Sequence, residues 1–277
     1  MTALTTAQQG VVRRTPGQPA IAYAQWGGGP ETVIFLHGIG GNKDNWFDQL
    51  NFFAAAGYRA VAWDVRGYGE SDDYEGDFLF EEVSADLLRL MEDLEIEQAH
   101  FVGLSMGGRI LMDFAWRYPQ RPKSLTICGA FPSFGKAFTD EQRAEYLRLR
   151  REPVLAGRSF EQLAPRLIES LAGPNVNPEV YEALHASICR LRPQSYLKAL
   201  EAAVYFDRTE EIRSITAPTL LLYAENDRLT PPQMGREVHA MMPNATLQIL
   251  PHSGHLMNLE ASQAFNEAVH AFICEKQ

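Results

Sequence analysis

Ala99-His100-Phe101-Val102-Gly103-Leu104-Ser105-Met106-Gly107-Gly108-Arg109 begins as a short apolar, strand-like run and passes through Gly-Leu-Ser-Met-Gly. A helical pattern follows at once, Ile110-Leu111-Met112-Asp113-Phe114-Ala115-Trp116. A serine at a sharp strand-to-helix turn needs neighbours without large side chains, which Gly103 and Gly107 provide. The turn lifts the hydroxyl above the end of the sheet, and the first N–H groups of the helix offer positive potential to an anion. Ser105 is therefore the candidate nucleophile.

Outward from this turn, strand-like and helix-like segments alternate. Val11–Arg14 and Ile21–Ala24 read as two strands joined by Thr15-Pro16-Gly17-Gln18. Val33–Leu36, Arg59–Trp63, Leu125–Cys128, Thr219–Tyr223 and Thr246–Leu250 read as further strands. Continuous apolar runs of this kind belong to strands covered on both faces. Helical spacing marks residues 45–56, 80–94, 232–242 and 260–274. The pattern predicts an α/β protein built on an open, mostly parallel sheet of eight strands flanked by helices. Residues 133–208 carry no convincing strand; they read as a helical lid inserted after strand 6, leaving 1–132 and 209–277 as the core domain.

Composition is that of a globular chain, 45% hydrophobic and 22% charged, with a net charge of −10. That charge, and the lack of a basic cluster with interleaved aromatics, exclude a nucleic-acid surface. The charge is uneven: residues 133–208 hold eleven Lys/Arg against ten Asp/Glu, so the rest of the chain is the acidic part. Cys128, Cys189 and Cys274 are far apart and fit reduced thiols. The first twenty residues lack an apolar leader segment and no window is long enough to span a membrane, so a cytoplasmic protein is expected. No histidine pair has metal-ligand spacing, and Gly27-Gly28-Gly29 lacks the helix of a dinucleotide site, so neither metal nor cofactor is expected. Oligomeric state is not written in the pattern.

A serine hydroxyl needs a base, and the base needs an acceptor to fix its tautomer. His255, in Pro251-His252-Ser253-Gly254-His255, follows the last strand, and Asp227, in Ala224-Glu225-Asn226-Asp227-Arg228, follows the one before. His252 and Glu225 are their nearest rivals. His37 sits on the Gly-rich stretch His37-Gly38-Ile39-Gly40-Gly41, where its expected role is to hold the loop. The backbone N–H groups of Met106 and Ile39 are the candidate donors to an oxyanion. The charge of the insert suggests that one or two of its arginines, such as Arg143, Arg190 or Arg192, with Arg148, Arg150 and Arg151 as further candidates, turn inward to a substrate carboxylate.

Phe35-Leu36-His37-Gly38, Asp64-x-Arg66-Gly67-x-Gly69-x-Ser71, Gly103-x-Ser105-x-Gly107-Gly108, Asp227 and Gly254-His255 together resemble the α/β-hydrolase fold, from about residue 20 to 275. Within it, Gly103-Leu104-Ser105-Met106-Gly107-Gly108 and Gly254-His255-Leu256-x-Asn258-x-Glu260 are similar to the 3-oxoadipate enol-lactonases and related small esterases. The resemblance implies hydrolysis of a small-molecule ester or lactone, with Ser105, His255 and Asp227 as nucleophile, base and acid. Two alternatives stand beside it: a carbon–carbon bond hydrolase of ring-cleavage products, and a ligand receptor of the same fold that does not turn over. Carbon–carbon hydrolases usually carry Asn before the serine and Trp after the last histidine, where this chain has Leu104 and Leu256.

Overall fold

Val33, Ile34, Phe35 and Leu36 are all fully buried, and so are Ala60 to Trp63, because their strands are covered on both faces. The computed structural model describes residues 10–174 and 176–276. Residues 1–9, on which part of the reading of the chain's start falls, lie outside the described residues. Among the described residues eight strands form one sheet: β1 (Val11–Arg14), β2 (Ala22–Trp26), β3 (Thr32–Leu36), β4 (Arg59–Trp63), β5 (Ala99–Leu104), β6 (Pro122–Cys128), β7 (Thr219–Ala224) and β8 (Ala245–Leu250). Their order is β1-β2-β4-β3-β5-β6-β7-β8, and β2 alone opposes its neighbours. The expected α/β sheet is present, and β6 starts three residues earlier than the apolar run suggested.

Alternate residues of each strand feed two separate cores. Ile34, Leu36, Val61, Trp63 and Phe101 face α2 (Phe80–Asp93) and α3 (Met106–Arg117). Val33, Phe35, Ala60, Ala62 and Val102 face α1 (Phe47–Ala55) and the C-terminal helix, through Leu50, Phe53, Phe265 and Val269. Each fully buried Val, Leu, Ile or Phe among them contributes about 1.5–3 kcal/mol. The helix expected from residue 45 begins as a 3-10 turn, Lys43–Trp46, capped by Asn42, before α1 takes over.

Between β6 and β7 the chain makes α4 (Phe134–Ala137), α5 (Asp140–Leu155), α6 (Phe160–Leu171), α7 (Pro178–Cys189) and α8 (Pro193–Tyr205). The stretch is helical as expected. A bridge between Ser133 and Asp207 closes its base, with Ser133 Oγ donating to Asp207 Oδ2 at 3.0 Å. After it come α9 (Pro232–Met241), α10 (Met257–Glu260) and α11 (Ser262–Glu275).

The Asp64–Ser71 motif serves the scaffold. Buried Asp64 accepts from the N–H groups of Lys43 (2.7 Å) and Glu70 (2.9 Å) and lies 3.3 Å from the Lys43 ammonium. Ser71 Oγ donates to the Asp64 carbonyl at 2.6 Å and accepts from Ala22 N at 2.8 Å. The loop after β4 is thereby fixed to β2 and to the turn that precedes α1.

Two glycines let β5 turn into α3. A Cβ on Gly103 would lie 2.5 Å from the Gly107 carbonyl oxygen, and one on Gly107 would overlap the Leu36 carbonyl of β3. Backbone cannot yield here as a side-chain tip could. Gly107→Ala is expected to destabilise the fold by about 3 kcal/mol. Gly28→Ala, where no atom lies within 4 Å of the added carbon, should stay within about 0.5 kcal/mol of the parent. Urea denaturation of the two variants checks the contrast.

Candidate active site

Ser105 sits at φ 56°, ψ −111°, between the last residue of β5 and the first of α3. A non-glycine residue held there costs on the order of 1–3 kcal/mol, which the surrounding backbone must sustain. Its N–H is tied to the Cys128 carbonyl of β6 at 2.8 Å, and its carbonyl accepts from Arg109 N at 3.2 Å. Its side chain lines a cavity of about 100 Å³ between the sheet and the helical insert. Among the described residues, Ser105 Oγ has no hydrogen bond; such contacts are often loose without substrate.

His255 lines the same cavity and is buried. Its Nδ1 lies 2.7 Å from Oδ2 of Asp227, which is itself fully buried at the side chain. Asp227 also accepts from the N–H groups of Leu229 (2.8 Å) and Thr230 (2.9 Å) and from the Thr230 hydroxyl. Burial pushes the Asp227 carboxyl up, but His255 and the Thr230 donors outweigh it and hold the group below its ordinary value. An ionised Asp227 keeps the imidazole proton on Nδ1, which leaves Nε2 free to accept one.

The rival residues fall elsewhere. His252 is exposed, and its N–H donates to the Glu225 carboxylate at 3.1 Å on the surface. Arg228 donates to the Glu169 and Ala172 carbonyls of the insert. His37 Nε2 accepts from Val65 N at 3.1 Å, so its proton is on Nδ1, 2.8 Å from the Gly38 carbonyl. Burial lowers its pKa, and it serves as a neutral brace for the loop. That loop passes directly over the serine: a Cβ on Gly38 would lie 3.3 Å from Ser105 Cβ. Ile39 and Met106 both line the cavity, and among the described residues neither N–H has a hydrogen-bond partner.

Several supporting residues escaped the sequence reading. Thr230 bridges Asp227 and His255, with its hydroxyl 3.2 Å from His255 Nδ1. Gly129, at φ 51°, backs the imidazole so closely that a Cβ would lie 3.3 Å from Nδ1 and Cε1. Ser187 of α7 donates to the Gly40 carbonyl at 3.1 Å and accepts from Asn42 at 3.0 Å. Glu260, quoted above only for its likeness to a known stretch, accepts from the N–H groups of Gly173 (2.8 Å), Gly254 (2.9 Å) and Leu256 (3.2 Å). With the His255 N–H on the Leu171 carbonyl at 3.0 Å, these contacts join the end of α6 to the loop that carries the histidine.

Of the insert arginines expected to face inward, Arg143, Arg190, Arg192, Arg148 and Arg151 do not meet the cavity. Arg143 pairs with Asp140, one turn away on its own helix. Arg190 pairs with Asp44 at 2.8 Å and Arg192 with Asp73 at 2.8 Å. Arg148 is held by Glu145 and Glu152, and Arg151 by Glu201. Each has a local carboxylate and solvent, so nothing draws it inside. Arg150 alone of that set lines the cavity, together with Arg109 of α3. Among the described residues no cluster of side chains could hold a metal ion, and no helix is long and apolar enough to cross a membrane.

Over residues 31–262 the chain matches the α/β hydrolase fold family, and it belongs to that family. It is 28% identical over 254 residues to 3-oxoadipate enol-lactonase 2 of Acinetobacter baylyi, a match that covers 91% of this chain and 92% of that one. It is 30% identical over 261 residues to the 2-hydroxy-6-oxononadienedioate/2-hydroxy-6-oxononatrienedioate hydrolase of Cupriavidus pinatubonensis, covering 89% and 88%. Among solved structures, a thermophilic esterase from Thermogutta terrifontis is similar with a TM-score of 0.84 and 25% identity, over 97% of this chain and 99% of that one.

Thr230→Val removes the hydroxyl donor of a buried carboxylate, and Glu260→Ala leaves three backbone N–H groups without their acceptor. Each is expected to lower stability by about 1–3 kcal/mol. For Glu260→Ala, proteolysis should in addition begin near Gly173, where the insert meets the histidine loop. Denaturant midpoints and the mass of the first fragment check both.

Proposed function

We propose that this protein is a serine hydrolase that cleaves a small carboxylic ester or lactone through an acyl-enzyme. The observation that carries the reading is the buried 2.7 Å contact of His255 Nδ1 with Asp227, in a cavity wall that also presents Ser105 at the head of α3. In the cycle, Ser105 Oγ attacks the carbonyl carbon while its proton passes to His255 Nε2. The Met106 and Ile39 N–H groups receive the charge that develops on the carbonyl oxygen, each worth roughly 3 kcal/mol in comparable sites. The C–O bond to the alcohol breaks as His255 returns the proton to it. Water then attacks the acyl carbon with His255 again as base, and the bond from that carbon to Ser105 Oγ breaks as His255 returns the proton to Oγ, which releases the acid. In a lactone the departing hydroxyl stays attached to the acyl group.

The helical insert acts as a lid in this reading. It leaves a cavity of about 100 Å³, below the roughly 150 Å³ that admits benzene in an engineered core. Short acyl groups fit that space with the least movement of α5–α8. The likeness to an enol-lactonase and to an esterase supports the same chemistry.

A carbon–carbon hydrolase is the second reading, favoured by the 30% identity to the 2-hydroxy-6-oxononadienedioate hydrolase. Leu104 and Leu256 beside the nucleophile and the base favour the ester.

On p-nitrophenyl acetate and butyrate, steady turnover is expected, faster than on the octanoate. Ser105→Ala should lower kcat by about a thousandfold or more, and Asp227→Asn by up to about ten thousandfold. Undiminished turnover in Ser105→Ala would overturn the serine mechanism. One equivalent of nitrophenol and no more would mark a receptor that stalls as an acyl-enzyme.

A further inference from the structure

The cavity wall contains two arginines, Arg109 and Arg150, and among the described lining residues no aspartate or glutamate. That is unusual in a chain of net charge −10. Arg109 is 5% exposed, and among the described residues it has no carboxylate within ion-pair distance. Among the described residues its guanidinium makes one hydrogen bond, from Nη1 to the Ala203 carbonyl near the end of α8. A guanidinium carries five N–H donors, so most of them are unused. Its flat faces are covered by Phe131 and Phe134, 4.4 and 4.6 Å from the ring centroids. Burial lowers its pKa to about 10, which leaves it charged at neutral pH. A buried charge without a counter-ion costs several kcal/mol, and a bound anion offsets that cost.

The second cation faces the same space. Arg150 of α5 lies 3.6 Å over the Tyr146 ring, and Tyr146 packs on Phe134 at 5.3 Å. Phe134 and Tyr146 thus link the surroundings of the two guanidinium groups, Arg109 from the core and Arg150 from the insert. Arg109 lies four residues after Ser105, the N-cap residue of α3, and both line the same cavity. A molecule whose carbonyl is at Ser105 can thus reach Arg109 with a short chain. The acyl part stays bound after the alcohol leaves, so it is the part that gains from a buried counter-ion throughout the cycle.

Resting on the ester or lactone reading above, we infer that Arg109, assisted by Arg150, forms an anion subsite that selects substrates with an ionised carboxylate on the acyl part. The competing role for Arg109 is that of a clamp on α8 alone, which would affect acidic and neutral ligands alike.

The test has two parts. Binding of glutarate and of butyrate to Ser105→Ala is measured by calorimetry, which needs no turnover. Glutarate is expected to bind at least about tenfold tighter, and Arg109→Met in the same background should abolish the difference while Arg109→Lys keeps part of it. Turnover of p-nitrophenyl hydrogen glutarate is then compared with that of its neutral methyl ester. The ratio of kcat/KM for acid over neutral should fall about tenfold or more in Arg109→Met, through KM. If Arg109→Met does not fold, as judged by near-UV circular dichroism, Arg150→Met is expected to reduce the same ratio severalfold. Equal binding of the two acids, or a ratio that survives the substitution, would overturn the subsite. Failure of the wild type on every ester with glutarate binding intact would count against the ester reading and leave the subsite standing.

Discussion

Ser105 is held in a backbone conformation that few residues adopt, φ 56° and ψ −111°, and most of the molecule contributes to holding it. β5 must run between β3 and β6, because the Ser105 N–H is bound by Cys128 at the end of β6. Gly103 and Gly107 must lack side chains, because backbone of the turn and of β3 occupies the space. α3 must then start at Met106, which lines the cavity. Strain of this kind persists only where the surroundings over-determine the local geometry. A sheet buried on both faces is well suited to that, since its strands cannot shift without disturbing two cores at once.

The second requirement is that three loops meet the turn from different strands. The loop after β3 is braced by His37 and by Ser187 of the insert. The loop after β7 is wrapped around the Asp227 carboxylate by its own N–H groups. The loop after β8 is bound through His255 N and Glu260 to the end of α6. The insert therefore does more than cover the cavity. Its backbone takes part in positioning the histidine, so movement of α6 and the orientation of the imidazole are mechanically linked.

The fold was legible in the sequence because its signals are local. A run such as Val33–Leu36 declares a doubly covered strand, and Gly103-Leu104-Ser105-Met106-Gly107 declares its turn by steric need. Ser105, Asp227 and His255 could be nominated for the same reason: each follows a strand whose end is predictable. The supporting residues were not legible, since their contacts join distant parts of the chain. Glu260 and Gly173 are 87 residues apart, and Ser187 and Asn42 are 145 apart. The insert arginines show both cases. The Arg143–Asp140 pair is one helical turn and could be read from spacing, whereas the Arg190–Asp44 pair spans 146 residues. In the sequence Arg109 is only the last residue of the stretch that carries the serine, with nothing local to mark its burial. Its burial between Phe131 and Phe134 depends on the segment that follows β6, far from Arg109's own turn.

The proposed hydrolysis rests on a Ser105 hydroxyl that its surroundings activate as a nucleophile. The most direct measurement is labelling with a fluorophosphonate, followed by mass spectrometry of the intact chain and of its peptides. One phosphonyl group per chain is expected, on Ser105, with a labelling rate that falls sharply in His255→Ala. A label on another residue, or a Ser105 that reacts no faster in the folded protein than in denaturant, would contradict it.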